Sequence, residues 1–317
     1  MTETRITAVL EDKTIGIRPP CYQAPESAHV GWVRLAVSSL ERSVEFYSQV
    51  IGLRVAGRDA RSARLTAQDE ARVLIELIEQ SGVKALRAPR LGLFHMALLL
   101  PNRMDLGAFV QHLAKSGVRF GAGDHIYSEA IYLNDPDGLG VEVYADRPRA
   151  GWPVAERKDE SGIVYEYAAD TIALRLSNLP TAEQWQGAPR GTRLGHVHLS
   201  VGDLERAAKF YHHGLGLSAV TWNFPGALFV SAGGYHHHVG MNTWSAGAPG
   251  AAHEDARLLY WTLVLPGEVE IARTQESLRQ QGFEAFHSSL ANAELPGLAF
   301  QDPWGTVVTL VTEDFVL

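Results

Sequence analysis

The sequence has little cysteine, no excess of positive charge and no long apolar run. The single cysteine among 317 residues, Cys21, excludes a disulfide within the chain and is typical of a reducing compartment. No apolar run approaches the roughly 18 residues of a membrane helix, and residues 1–20 lack the basic start and apolar core of a signal peptide. The net charge of −8 favours neither nucleic acid nor an anionic membrane as a partner. We therefore expect a soluble, cytoplasmic protein.

What the sequence does have is an ordinary globular composition and many histidines. Hydrophobic residues make up 46% of the chain, which is enough for two domains with buried cores. Among its 13 histidines, His196 and His198 share one predicted strand, and His236, His237 and His238 are consecutive. Histidine is the commonest protein metal ligand and an acid or base near neutral pH. A solvated loop is the alternative for such a cluster, so its meaning depends on the surrounding pattern.

The stretch Gly123–Glu142, GDHIYSEAIYLNDPDGLGVE, combines reactive side chains with a turn. Asp-Pro-Asp-Gly at 135–138 predicts a β-turn between a short strand over 130–133 and a returning strand over 139–144. Alternation puts Glu142 on the face opposite its two valine neighbours. A buried carboxylate in mid-strand needs a positive partner, and a metal ion would supply one. The alternative is an edge strand that leaves Glu142 in water.

The chain also contains an internal repeat. Residues 31–53, GWVRLAVSSLERSVEFYSQVIGL, and residues 195–217, GHVHLSVGDLERAAKFYHHGLGL, share a strand, a helix start and a closing Gly-Leu. The Ser-Ser pair in the first of these predicts a helix cap. A second pattern joins LFHMALLLP at 93–101 with LYWTLVLP at 259–266, and a helix follows each. The sequence therefore predicts four β-α-β-β-β units and the α+β fold class.

The four units fall into two halves joined by a linker. The predicted boundaries are an N-terminal arm over 1–28, a first half over 29–150 with units 29–90 and 91–150, a linker over 151–193, and a second half over 194–317 with units 194–250 and 257–317. The linker is rich in charged, polar and proline residues, and the prolines of the arm favour an extended lead-in.

The motif within 123–142 reads Gly-x-His, five residues, Ile-Tyr, two residues, Asp-Pro-x-Gly, three residues and Glu. It resembles the signature of the extradiol ring-cleaving dioxygenases of the vicinal oxygen chelate superfamily, and the four units extend the resemblance over 29–315. The resemblance implies α+β modules paired into two half-barrels around a metal. It also implies that Glu142 is a metal ligand, that Tyr132 hydrogen-bonds the substrate oxygens, and that His125 is an acid or base.

In this superfamily two facing units supply the metal ligands, one from the first strand of each and a glutamate from the last strand of one. Across units one to four, the first-strand position holds Trp32, His95, His196 and Tyr260, and the last-strand position holds Glu76, Glu142, Met241 and Thr309. The resemblance therefore implies His95, Glu142 and His196 as a 2-His-1-carboxylate set, which is typical of non-haem Fe(II) oxygenases. This set requires unit two to face unit three, whereas most extradiol dioxygenases carry theirs on units three and four. The alternative is an incomplete site in each half, with the three residues apart.

Further residues are implied to surround the substrate. Alternation through YHHHVG puts His237 on the same strand face as Met241, with His236 and His238 on the other face as structural residues. The resemblance implies that His237 takes a proton from the substrate or stabilises bound dioxygen. The predicted substrate-binding residues are His198, Met241 and Trp244, with Trp222 and Phe224 as further candidates for an apolar wall. For the apolar ones, ordinary core packing is the alternative.

The resemblance implies an oxidoreductase of aromatic degradation that uses both atoms of O2 to cleave the ring of a catechol-type or hydroquinone-type diol next to its hydroxyl pair. Fe(II) is the expected cofactor, with Mn(II) as the alternative, and His125, Tyr132 and His237 are the expected catalytic residues. The expected partners are a small aromatic substrate and O2, without nucleic acid or membrane, and open sheet edges suit a homo-oligomer. Two other functions share the fold, a glyoxalase-type metal-dependent isomerase or transferase and a non-catalytic binding or resistance protein for small aromatics. The full ligand set disfavours the second, and the spacing from Tyr132 to Glu142 disfavours the first.

Overall fold

A computed structural model describes residues 15–159, 162–168, 172–180, 184–286, 289–290 and 293–315. Half of the predicted N-terminal arm, residues 1–14, and the final residues 316–317 lie outside the described residues. The described part of the arm is extended, and Ile17 forms an antiparallel bridge with Ala219. The arm therefore runs along the third unit before the first unit begins.

Units one and two each contain a strand, a helix and three further strands. Unit one comprises β1 His29–Val37, α1 Leu40–Glu45 with a π-helical continuation Phe46–Val50, β2 Arg54–Arg58, β3 Ser62–Thr66 and β4 Val73–Glu79. Unit two comprises β5 Gly92–Leu99, α2 Arg103–Ser116, β6 Gly121–Asp124, β7 Ser128–Asn134 and β8 Gly140–Asp146. The strand–turn–strand prediction for the Gly123–Glu142 stretch corresponds to β7 and β8.

The linker contains regular structure of its own before the repeat resumes. It comprises a 3₁₀ turn Arg149–Gly151, the hairpin β9 Val154–Asp159 and β10 Gly162–Tyr167, β11 Ile172–Ala173 and a 3₁₀ turn Leu176–Asn178. Unit three comprises β12 Arg193–Ser200, α3 Leu204–Ala208 with a π-helical continuation Lys209–Gly214, β13 Ser218–Thr221, β14 Ala227–Ser231 and β15 Val239–Asn242. Unit four comprises β16 Arg257–Leu265, α4 Glu268–Gln280, β17 Ser289–Leu290, β18 Ala293–Glu294, β19 Leu298–Gln301 and β20 Val307–Thr312.

The strands form two large sheets, and each sheet joins units from different halves of the chain. The nine-stranded sheet has the order β11-β6-β7-β8-β5-β12-β15-β14-β13, so units two and three meet at β5 and β12. The seven-stranded sheet has the order β19-β20-β16-β1-β4-β3-β2, so units four and one meet at β16 and β1. Both central pairs are antiparallel. Unit two therefore faces unit three, and the predicted α+β class with paired units is confirmed.

Local sequence explains where the helices begin and end. The Ser39 side chain accepts a hydrogen bond from the backbone N–H of Arg42 and caps α1, as the Ser-Ser pair predicts. In α2, the Asn102 side chain accepts from two backbone N–H groups, and Gly117 ends the helix in the left-handed conformation at φ +69°. Each helix buries one face against a sheet, as Phe109 of α2 does in the main core. The opposite sheet face is left to line a cavity.

Within the described residues, no helix is both long enough and apolar enough to cross a membrane.

Candidate metal centre

Three side chains meet on the cavity-lining face of the nine-stranded sheet: His95 on β5, Glu142 on β8 and His196 on β12. The Glu142 Oε2 atom lies 2.9 Å from His95 Nε2 and 3.3 Å from His196 Nε2. One potential ligand atom of each residue lies within 4.8 Å of the others, and all three residues are buried. The structure thus brings together the three residues that the comparison of units selected.

Strand register explains this convergence. Parallel pairing of β5 with β8 places Ala97 opposite Glu142, and antiparallel pairing of β5 with β12 places Ala97 opposite His196. A β-bulge at Gly195 shifts the β12 register just before His196. A Cβ atom at Gly195 would lie 1.8 Å from the Tyr144 hydroxyl oxygen, so glycine is required there. The bulge lets His196 approach Glu142 while Tyr144 packs behind it.

The donor set fits a divalent metal. Two imidazole nitrogens and one carboxylate oxygen form the facial set that suits non-haem Fe(II) and leaves coordination positions open. The His95 Nε2 atom is buried and, despite its proximity to Glu142, has no hydrogen-bond partner among the described residues. An unsatisfied buried nitrogen is costly in a protein interior, and a metal ion at this point would remove that cost.

The protonation states of the site suit metal binding. Burial lowers the pKa of His196 to about 4, and burial together with neighbouring imidazoles lowers the pKa of His198 and His237 well below the ordinary value. For Glu142, burial acts to raise the pKa, but contacts with His196 and His95 outweigh it and hold the pKa well below the ordinary value. Neutral imidazoles and an ionised carboxylate are the forms that bind metals.

Tyr132 and His125 lie beside these ligands. Tyr132 is opposite Glu142 in the β7–β8 pair, and its hydroxyl oxygen is 2.5 Å from His125 Nε2. Burial raises the pKa of Tyr132 well above the ordinary value, so the phenol keeps its proton. His125 is in the turn between β6 and β7, where Ile126 has a left-handed φ of +71°. The Asp124 carboxylate accepts a hydrogen bond from Ile126 N–H at 2.8 Å and supports this strained turn.

The histidine run forms a hydrogen-bonded chain that ends at the cavity. Asp146 Oδ1 is 2.9 Å from His236 Nε2, and His236 Nδ1 is 2.9 Å from His237 Nδ1. His237 lines the cavity, and its ring centroid is 4.1 Å from that of His196. His238 instead bonds to the Ser231 hydroxyl at 3.0 Å. Asp146, the residue that anchors this chain, has no motif in the sequence and was missed.

The prediction for this segment was wrong in its geometry. Strand β15 begins at Val239, so period-two alternation does not extend to the histidines, and a turn sets their directions instead. Met241 was predicted to bind substrate, but it is buried in the main hydrophobic core and does not line the cavity. The residue that corresponds in register to Glu142 is Gly240, which is opposite His198. A Cβ atom at Gly240 would lie 3.0 Å from the His198 ring.

The cavity above these residues measures about 510 Å³. Its walls include the predicted residues His198, Phe224 and Trp244, whereas Trp222 does not line it. Aromatic side chains that were not predicted also line it, namely Phe94, Tyr127 and Phe229. Phe94 directly precedes His95, and Tyr127 lies inside the motif stretch, so their closeness to the reactive residues was the available signal.

Comparisons with known proteins agree with this fold and site. The family model Glyoxalase/Bleomycin resistance protein/Dioxygenase superfamily matches residues 29–143 and 193–310. Catechol-2,3-dioxygenase of Bacillus subtilis (strain 168) is 42% identical over 265 residues, which span 81% of this chain and 90% of that protein. Metapyrocatechase of Geobacillus stearothermophilus is 24% identical over 57% of this chain and 47% of its own length.

Solved structures support the fold. A crystal structure from Bacillus subtilis subsp. subtilis str. 168 aligns with a TM-score of 0.62 at 12% identity, covering 93% of this chain and 87% of that one. Glyoxalase I from Zea mays aligns with a TM-score of 0.52 at 16% identity, covering 90% and 92%. The family-model match over 29–143 and 193–310 and the 42% identity over most of the chain show that the chain is a member of the Glyoxalase/Bleomycin resistance protein/Dioxygenase superfamily and belongs to its extradiol ring-cleaving dioxygenases.

Proposed function

We propose that this dioxygenase opens the ring of a catechol-type diol beside its hydroxyl pair, with Fe(II) held by His95, Glu142 and His196. The observation that carries the proposal is the convergence of one carboxylate and two imidazoles at the floor of a cavity large enough for an aromatic ring. Bound Fe(II) would act as a Lewis acid that holds diol and O2 side by side through its open positions. Mn(II) is the alternative metal for the same donors.

His237 is proposed to receive a proton from a substrate hydroxyl. If His236 donates its Nε2 hydrogen to Asp146, its Nδ1 becomes an acceptor, so the hydrogen of His237 is on Nδ1. This tautomer leaves His237 Nε2 unprotonated and able to accept a proton. The 2.9 Å contacts at both ends of His236 support this assignment.

Tyr132 and His125 are proposed to act on the opposite side of the diol. Tyr132 remains protonated and can donate a hydrogen bond to a substrate oxygen, which orients the ring. His125 is 2.5 Å from that phenol and is proposed to supply a proton when the O–O bond breaks. His198 has a buried Nε2 atom that no group in the described part of the chain hydrogen-bonds, and it is proposed to contact the substrate.

The test combines metal content with O2 consumption. The protein is purified without oxygen, its metals are measured by mass spectrometry, and O2 uptake is followed after catechol is added. We expect about one iron per chain, for the one three-residue set found among the described residues. We also expect O2 uptake and a yellow ring-opened product that contains both atoms of O2. A chelator should abolish uptake, and added Fe(II) should restore it.

Two outcomes would contradict the proposal. A bound metal with isomerisation of a hemithioacetal and no O2 uptake would favour a glyoxalase-type activity. Absence of both metal and uptake, with tight retention of the aromatic compound, would favour a binding protein.

A further inference from the structure

The cavity is much larger than an unsubstituted diol requires. Its volume is about 510 Å³. A protein cavity of about 150 Å³ is sufficient to hold benzene. A catechol ring with its metal and O2 therefore leaves a large part of the space unfilled, and unfilled space forfeits contacts with the ligand. A substrate that carries an additional group would use this space.

An exposed aromatic pair lines the mouth of the cavity. Phe94 and Trp244 are in edge-to-face contact, with ring centroids 5.5 Å apart. Both also contact the His198 ring, at 5.2 Å for Phe94 and 5.8 Å for Trp244. They remain 43% and 54% exposed. Two large exposed aromatic rings beside a site are costly in water unless a ligand covers them.

The side chains of the wall disfavour an acidic group on the substrate. Among the described residues, neither lysine nor arginine lines the cavity, and Glu142 is its one carboxylate. Arg147, which lies near the β6–β7 turn, is held instead by Asp124 at 2.6 Å and Glu129 at 3.0 Å. A substrate carboxylate would therefore meet neither a lysine nor an arginine of the described wall, and it would add negative charge near Glu142.

We infer that the substrate is an uncharged catechol with an apolar substituent, which packs against Phe94 and Trp244 while the diol faces His95 and His196. This inference rests on the proposed function. It assigns Phe94 and Trp244 as the residues that determine specificity. The same wall disfavours catechols that carry a carboxylate on the ring or on a side chain.

The first test measures binding without the metal, so its outcome does not depend on turnover. Metal-free protein is titrated with 4-tert-butylphenol and with 4-hydroxybenzoate in a calorimeter. Each ligand has a single hydroxyl group and cannot chelate residual metal. We expect the alkylphenol to bind at least about 10-fold more tightly, since its substituent would be buried and the carboxylate would meet no lysine or arginine. Equal or reversed affinities would overturn the inference.

The second test measures kcat/KM for the Fe(II)-loaded enzyme with substituents at matched positions. The pairs are 3-isopropylcatechol against 2,3-dihydroxybenzoate and 4-tert-butylcatechol against 3,4-dihydroxybenzoate, with catechol as reference. We expect at least one alkylcatechol to exceed its carboxylate partner by about 100-fold. Cleavage of catechol with equal rates for both partners would overturn this inference alone, whereas no cleavage of any diol would overturn the proposed function.

Variants at the mouth test the assignment of specificity. Trp244→Arg should reduce the alkyl-to-carboxylate ratio at least about 10-fold, because it supplies the missing cation. Trp244→Met is the matched uncharged variant and should keep the alkyl preference. Phe94→Ala should lower that preference, whereas Phe315→Ala should not, since Phe315 is 40% exposed and lies beside Trp32 on the other sheet. An unchanged ratio in Trp244→Arg would overturn the assignment.

Discussion

The two large sheets share one plan but differ in what faces a buried carboxylate. In the nine-stranded sheet Glu142 is opposite Ala97, and in the seven-stranded sheet Glu76 is opposite Arg34 at the corresponding position. Arg34 Nε lies 2.6 Å from Glu76, and both side chains are buried. A guanidinium therefore neutralises Glu76 within the protein, whereas the small Ala97 side chain leaves Glu142 open toward two imidazoles.

The two first-strand positions also differ between the sheets. Where the nine-stranded sheet has His95 and His196, the seven-stranded sheet has Trp32 and Tyr260. The Arg34 guanidinium lies 5.1 Å from the centre of the Tyr260 ring. In this sheet the cation comes from the chain itself, because Arg34 neutralises Glu76 beside an aromatic ring. The same strand positions therefore carry either a candidate set of metal ligands or a packed ion pair, according to their side chains.

Removing a proposed metal ligand should have the largest effect of the substitutions that test this difference. We expect His196→Ala to lose the bound metal and essentially all O2 uptake. This loss should be well beyond the roughly 10- to 100-fold effect of removing a residue that only hydrogen-bonds a metal ligand. Tyr260→Phe, which alters the corresponding residue of the other sheet, should keep the metal. Iron analysis and O2 uptake measure both, and full iron with full activity in His196→Ala would refute the ligand assignment.

Removing the proposed base separates chemistry from metal binding. His237→Ala should keep the iron but lower kcat by about 10²- to 10⁴-fold, the range typical of acid–base catalysis by a positioned side chain. His238→Ala is the matched control, because the neighbouring His238 bonds to Ser231 and does not line the cavity. Loss of iron from the His237 variant would instead identify this residue as a ligand.

Breaking the ion pair of the other sheet should affect stability and not the metal. Glu76→Leu leaves Arg34 charged and buried, so we expect the free energy of unfolding to fall by about 3–5 kcal/mol. The double variant Arg34→Met/Glu76→Leu should recover much of this loss, because neither charge remains. Urea unfolding and iron analysis provide the measurements. A Glu76 variant with wild-type stability would show that the pair contributes nothing.

Substitution of Asp146 should have the smallest effect, because Asp146 reaches the proposed base His237 only through His236. Asp146→Asn presents an amide to His236 and disturbs its tautomer, so kcat should fall about 10-fold with iron retained. Nitrogen NMR of the histidine rings should report the altered tautomer. Tyr235→Phe removes the other hydrogen bond to Asp146, 2.9 Å in length, and serves as the control. Equal effects of the two variants would argue against a specific role for the His236 contact.

Much of the site followed from local patterns, and the errors have a common cause. The turn after Asn134 and the alternation around Glu142 are local, so the sequence predicts them well. The same alternation rule failed at His237, because β14 ends at Ser231 and a turn with Gly233 and Gly234 at positive φ intervenes before β15. The same rule led to the assignment of Met241 to the cavity, whereas Met241 lies in the hydrophobic core.

The sequence by itself determined the four-unit repeat, the residue types at the ligand positions and the spacing of the motif from Gly123 to Glu142. These depend on periodicity and turn chemistry, which act over a few residues. Only the tertiary structure decided that β5 pairs with β12, which brings His95 and His196 to one carboxylate. It also decided that Arg34 meets Glu76, and that Phe94 meets Trp244. Contacts between distant segments depend on the packing of whole units, which no local pattern encodes.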